Sequence, residues 1–123
     1  MPTLAVTALK IGRLAGGNCS VLYTYTLTCT PAELVAGATF SLSSELWGRD
    51  PIQDDMLGAP PYDPHTVSCL TPMPNTRVFT VHCSVLDEDR PRQSDEILLR
   101  LKALPAAGGT TTAADSPTVT WDQ

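Results

Sequence analysis

Positive charge is scarce in this sequence. Only Lys10 and Lys102 occur beside six arginines, against thirteen acidic residues, and the formal charge is −5. The basic residues are scattered and gather on no stripe, so nucleic acid is not an expected partner. Long apolar runs are missing too. Nothing approaches the roughly 18 to 20 residues of a membrane helix, and the opening MPTLAVTALKIG has neither a basic n-region nor a continuous apolar h-region. The expectation is a soluble chain with no membrane span and no export signal of its own. His65 and His82 are the only histidines, and GxSxG, HExxH and P-loop patterns are absent, which leaves no local grouping of nucleophile, base and orienting acid. None of the cysteines forms a CxxC pair, which argues against a structural zinc site.

What is present has period two. In CSVLYTYTLTCT (19–30) Val21, Tyr23, Tyr25, Leu27 and Cys29 alternate with Leu22, Thr24, Thr26 and Thr28, the pattern of a half-buried strand. VFTVHCSVL (78–86) sets Phe79, Val81, Cys83 and Val85 against Thr80, His82 and Ser84. Weaker alternation marks 3–11, 39–47, 65–70, 96–104 and 117–121. Between these runs lie clusters of Gly, Pro, Asn and Asp that punctuate strands. Eleven prolines leave little room for helix, and only PAELVAG (31–37) is compatible with a helical turn. In a chain of 123 residues, one domain's worth, this predicts a single all-β domain over 1–123. It is a seven-stranded antiparallel Greek-key sandwich of immunoglobulin-like type. The segment 105–116, PAAGGTTTAADS, reads as a flexible loop before the last strand. Tyr23, Tyr25, Leu27, Phe79, Val81 and Leu99 are its predicted core.

Cys29, Cys69 and Cys83 share parity with inward positions, which suits buried thiols acting as small hydrophobes. Cys19 and Cys29 on one extended strand stand about 33 Å apart and cannot bond. A hairpin turning at Asn75 and Thr76 would place Cys69 opposite Cys83, which makes them the favoured pair.

Acidic residues concentrate in two places. FSLSSELWGRDPIQDDML (40–57) can be laid beside FTVHCSVLDEDRPRQSDEIL (79–98), with Phe40 on Phe79, Trp47 on Leu86 and Asp50 on Asp89. With small gaps, Asp54 and Asp55 then fall opposite Asp95 and Glu96. In an immunoglobulin-type sandwich the loops after the third and fifth strands lie at one pole. Asp50, Asp54, Asp55, Asp87, Asp89 and Asp95 are therefore expected to gather there. Their mutual repulsion would be relieved by a cation or by Arg49, Arg90 and Arg92. The run Asp87, Glu88, Asp89 and, six positions on, Asp95 resembles the third calcium loop of the calcium-dependent phospholipid-binding sandwich domains typified by protein kinase C. Glu88 stands where that family usually has an aromatic, and no glycine follows Ile97. The resemblance implies Ca²⁺ as cofactor, held by these aspartates, since hard cations take six to eight oxygens. The competing reading is a solvated pole of turn-forming aspartates and surface ion pairs.

Three function classes follow. The first is a non-enzymatic protein-interaction or accessory module whose acidic pole binds a divalent cation or a basic protein partner. The second is a carbohydrate-binding module, in which Trp47, Tyr62 and Trp121 would form an exposed stacking platform for a glycan. The third is a small hydrolase with paired carboxylates, for which so small a sandwich leaves little cleft wall.

Overall fold

The computed structural model describes residues 1–49, 55–86 and 95–121. It is an all-β arrangement of two antiparallel sheets. One sheet has the order β1-β2-β5, formed by β1 (Thr3–Arg13), β2 (Asn18–Thr28) and β5 (Asn75–His82). The other runs β4-β3-β6-β7, with β3 (Thr39–Arg49), β4 (Asp55–Ser68), β6 (Asp95–Pro105) and β7 (Thr112–Asp115). The last strand, β8 (Val119–Trp121), also pairs with β6. The described residues thus hold eight strands where the sequence pattern gave seven.

Alternation builds the core between the sheets. Cys19, Val21, Tyr23, Tyr25 and Leu27 of β2 are all buried, facing Phe40, Leu42 and Leu46 of β3 and Ile97, Leu99, Leu101 and Ala103 of β6. Of the six predicted core residues, five are buried and Phe79 is half-buried against the core. In β1 the inward set changes from Leu4 and Val6 to Leu9, and the register with β2 shifts between Val6 and Ala8. One extra residue there turns the odd positions inward.

Two strands differ from the sequence pattern. β4 reaches back to Asp55 through GAPPYDP, a stretch expected to be loop. It is an edge strand, where prolines remove no ladder bond. Its register with β3 slips twice, between Leu42 and Ser44 and between Ser44 and Leu46. Gly58 sits at φ 66° beneath the Tyr62 hydroxyl, a position with no room for a Cβ. The other is β7, which lies within the segment 105–116 and pairs with β6 from Arg100 to Ala103. Between β7 and β8 the ladder is carried by Ser116, whose N–H donates to Leu99 O (2.8 Å) and whose Oγ accepts from Leu99 N (2.9 Å).

PAELVAG does form a short helix, α1 (Pro31–Ala36). The Thr30 hydroxyl accepts from Glu33 N while the Glu33 carboxylate accepts from Thr30 N, the reciprocal capping box. Gly37 ends it in the left-handed conformation.

The cysteine pairing is Cys19–Cys83 and Cys29–Cys69, with Cα separations of 5.1 and 5.9 Å. This corrects the expected Cys69–Cys83 bridge and the buried free thiols. The physical reason is the path of residues 69–74: they do not turn a hairpin but cross from β4 in one sheet to β5 in the other. Cys69 is thereby left beside the end of β2, and Cys83, in a 3₁₀ turn after β5, beside its start.

Candidate functional site

Strand register decides what the acidic segments share. Arg49, the last residue of β3, lies opposite Glu96 at the start of β6, and Gly48 lies opposite both Ile97 of β6 and Asp55 of β4. The ends of β3, β4 and β6 that border the two acidic segments are therefore at one end of the same sheet. β4 and β6 stand on either side of β3, about 10 Å apart. Asp55 is the first residue of β4 and Asp95 the first of β6, one position off the alignment of the two segments, which sets Asp54 against Asp95 and Asp55 against Glu96. Asp50, Asp54, Asp87 and Asp89 lie outside the described residues, and Asp95 is described in its backbone alone. Among the described residues no group of three or more His, Cys, Asp or Glu side chains could hold a metal ion.

The three aromatic residues proposed as a glycan platform occupy three different settings. Trp121 is buried, with the Arg13 guanidinium 4.5 Å from its ring centroid. Tyr62 is half-buried, stacked on Phe79 at 5.4 Å, with its hydroxyl accepting from Ala59 N. Trp47 alone is on the outer face of the β4-β3-β6-β7 sheet. There its indole N–H donates to Glu45 (3.0 Å), and Arg100 lies 4.9 Å over its ring. Arg100 also forms two bonds to Asp115, and Lys102 donates to Glu45 at 3.0 Å. Burial pushes the Glu45 carboxyl upward, but the bonds from Lys102 and Trp47 together outweigh it and hold the group below its ordinary range. The outer face is thus a single tryptophan set in a ladder of paired charges.

A second polar cluster, on the open side of the sandwich between β4 and β5, was not foreseen. Asp63, at φ 49°, accepts two bonds from Arg77 (2.6 and 2.9 Å) and one from the Tyr23 hydroxyl (2.6 Å). Next to it, Asn75 donates to the Tyr25 hydroxyl, which bonds His65 Nε2, each at 2.9 Å; His65 Nδ1 is 2.8 Å from Asp63 O. The neutral tautomer with the proton on Nδ1 satisfies all of these. Burial raises Asp63, and the Arg77 and Tyr23 bonds more than reverse it; His65 is lowered by burial and by the Arg77 charge. Burial raises both tyrosine hydroxyls. The signal for this cluster was Arg77, which shares inward parity with Phe79 and Val81, and a charge at an inward position needs a buried partner.

The Tyr25 hydroxyl is buried, and burial raises its pKa, which favours its neutral form and weakens it as a nucleophile. No helix among the described residues is long and apolar enough to cross a membrane.

No family model matches the chain, and no curated protein matches it. The chain is similar in fold to a solved structure, a putative carbohydrate binding protein from Bacteroides uniformis ATCC 8492. The TM-score is 0.53 at 12% identity, covering 98% of this chain and 57% of that one. The chain therefore spans little more than half the length of that protein, and at this identity the likeness is one of fold.

Proposed function

We propose that the protein is a non-enzymatic interaction module that works through its acidic end. The sheet order β1-β2-β5 against β4-β3-β6-β7 supports an immunoglobulin-like Greek key for it. The observation that carries the proposal is the register of Arg49 with Glu96 and of Gly48 with Asp55. It brings the strand ends that border the two acidic segments to one end of a sheet, although some forty positions separate them, and this supports the reading. A divalent cation such as Ca²⁺, taken by Asp50, Asp54, Asp55, Asp87, Asp89 and Asp95, belongs to this reading; a basic protein surface is its macromolecular counterpart. Two disulfides favour an oxidising compartment as the place of action.

Thermal unfolding tests the cation directly. At a Ca²⁺ concentration one hundred times the dissociation constant, linkage adds about 2.7 kcal/mol, or roughly 10 °C in a chain of this size. EDTA should remove the rise, and Asp89→Asn with Asp95→Asn should abolish it while the metal-free midpoint stays put. A midpoint indifferent to millimolar Ca²⁺ ends the calcium reading and leaves the acidic end to a basic partner.

A second reading, glycan binding, is favoured by the likeness in fold to a putative carbohydrate binding protein and by Trp47 on the outer face. Indole fluorescence distinguishes it, because Trp121 is buried and any ligand-induced change reports on Trp47. Titration with soluble polysaccharides should shift the emission of the wild type and not of Trp47→Phe. An unmoved wild-type spectrum across a polysaccharide panel eliminates the outer face as a glycan site.

A further inference from the structure

We infer that β5 is a dimerisation edge, on which a second copy of this chain adds its own β5 antiparallel. β2 pairs with one side of β5, and among the described residues no strand pairs with the other. Unpaired strand edges are templates for further strands, and proteins blunt them with prolines, lysines, bulges or brevity. Every other edge here is blunted. β4 carries Pro60, Pro61 and Pro64 and two register shifts. β7 and β8 have four and three residues. β1 has a shift between Val6 and Ala8 and an exposed Lys10. β5 has eight residues, NTRVFTVH, with no proline, no lysine and no shift against β2.

The occupant follows from the outward face of β5. Thr76, Val78 and Thr80 point to solvent, and Val78 is 60% exposed. The order Thr, Val, Thr reads the same in both directions. An antiparallel copy with its dyad at Val78 therefore sets valine on valine and each Thr76 on the other copy's Thr80. A two-fold interface requires such self-complementarity. Cross-strand threonine pairs of this kind are favourable, and one already exists on the strand's other side, where Thr24 and Thr76 hydroxyls meet at 2.9 Å. Charge permits the approach. In a chain of net charge −5 this strand holds no acidic residue, and its one arginine, Arg77, is turned inward to Asp63. The added strand would also cover Phe79, which the sandwich leaves half-buried.

Sedimentation velocity on the intact, oxidised chain tests this. Between roughly 1 and 500 µM, a span set by the small area of one strand pair, the wild-type mass should climb from 13.1 kDa toward twice that value. Val78→Lys places two ammonium groups across the dyad and should hold the mass at 13.1 kDa with an unchanged melting midpoint. Thr80→Lys is the second variant should the first unfold, and Met56→Lys, an exposed apolar site on the other sheet, should leave the association intact. A wild type that stays monomeric throughout overturns the inference. So does a dimer that survives both β5 variants, or one that Met56→Lys abolishes.

Discussion

Removing either disulfide should cost about 4 kcal/mol of stability. The bridges close loops of 40 and 64 residues, and chain-entropy scaling gives about 3.9 and about 4.3 kcal/mol at 25 °C. In a chain of this length each loss corresponds to roughly 12 to 20 °C in the unfolding midpoint. The two are not equivalent in the folded state. Cys19–Cys83 links strands that already pair, since Cys19 lies opposite Val81. Cys29–Cys69 ties the end of β2 in one sheet to the segment leaving β4 in the other, so its removal also frees residues 69–74. The Cys29→Ala, Cys69→Ala variant should therefore gain hydrogen exchange in that segment, whereas Cys19→Ala, Cys83→Ala should gain it after His82. Unreduced protein should take up no alkylating agent, and peptide mapping should recover these two pairs. Recovery of Cys69 joined to Cys83, or a midpoint that reductant leaves within a few degrees, would show the crossing between sheets to be misplaced.

That crossing also marks the boundary of what could be read from the sequence. The alternation in β2, β3, β5 and β6 is a direct print of burial on one face, and the core followed from it. In β1 the reading of 3–11 as plain alternation missed the bulge between Val6 and Ala8, which turns Leu9 inward after Leu4 and Val6. β4 was not legible. Gly58, Pro60, Pro61 and Pro64 are turn residues by composition, and they form a strand here because the edge of a sheet asks for no N–H on its outer side. Cysteine pairing failed for a related reason. It depends on which sheet each strand joins, and that is a property of the topology rather than of any window of residues. The acidic end was half legible: the alignment of 40–57 with 79–98 set Asp55 against Glu96, and these two residues lie at the starts of β4 and β6 in one sheet. The Asp63 cluster lay beyond the pattern altogether. Arg77 announced that a partner must exist, but the partner sits fourteen positions away on another sheet.

Acid should weaken the fold in two steps, the first originating in that cluster and the second shared between it and Glu45 on the outer face. The His65 pKa is lowered from its ordinary 6.5 by burial and by Arg77, so the unfolded chain takes up this proton first. A group whose folded pKa is depressed contributes stability that is complete above its unfolded value and is lost as the pH falls through the folded one. The first decline therefore begins near pH 6.5. Asp63 is lowered from 3.8, and the same sign places a second decline below that value. The tyrosines shift the other way. Tyr23 and Tyr25 are raised from 10.0, so their contribution is complete below pH 10 and fails above it. A plateau between about pH 7 and 10 is expected in the unfolding midpoint. His65→Gln, whose amide can still accept from Tyr25, should flatten the first decline and leave the second. Asp63→Ala should be the costlier change, by about 3 kcal/mol, because it strands the Tyr23 hydroxyl and the Arg77 guanidinium in a half-buried site. It should also shrink the acid step below pH 3.8, leaving the part that Glu45 contributes below 4.5. Adding Arg77→Leu to Asp63→Ala ought to recover part of that loss, since the unpaired cation is then gone. If the double variant is no more stable than Asp63→Ala alone, the guanidinium was adequately solvated, and the cost belongs to Tyr23.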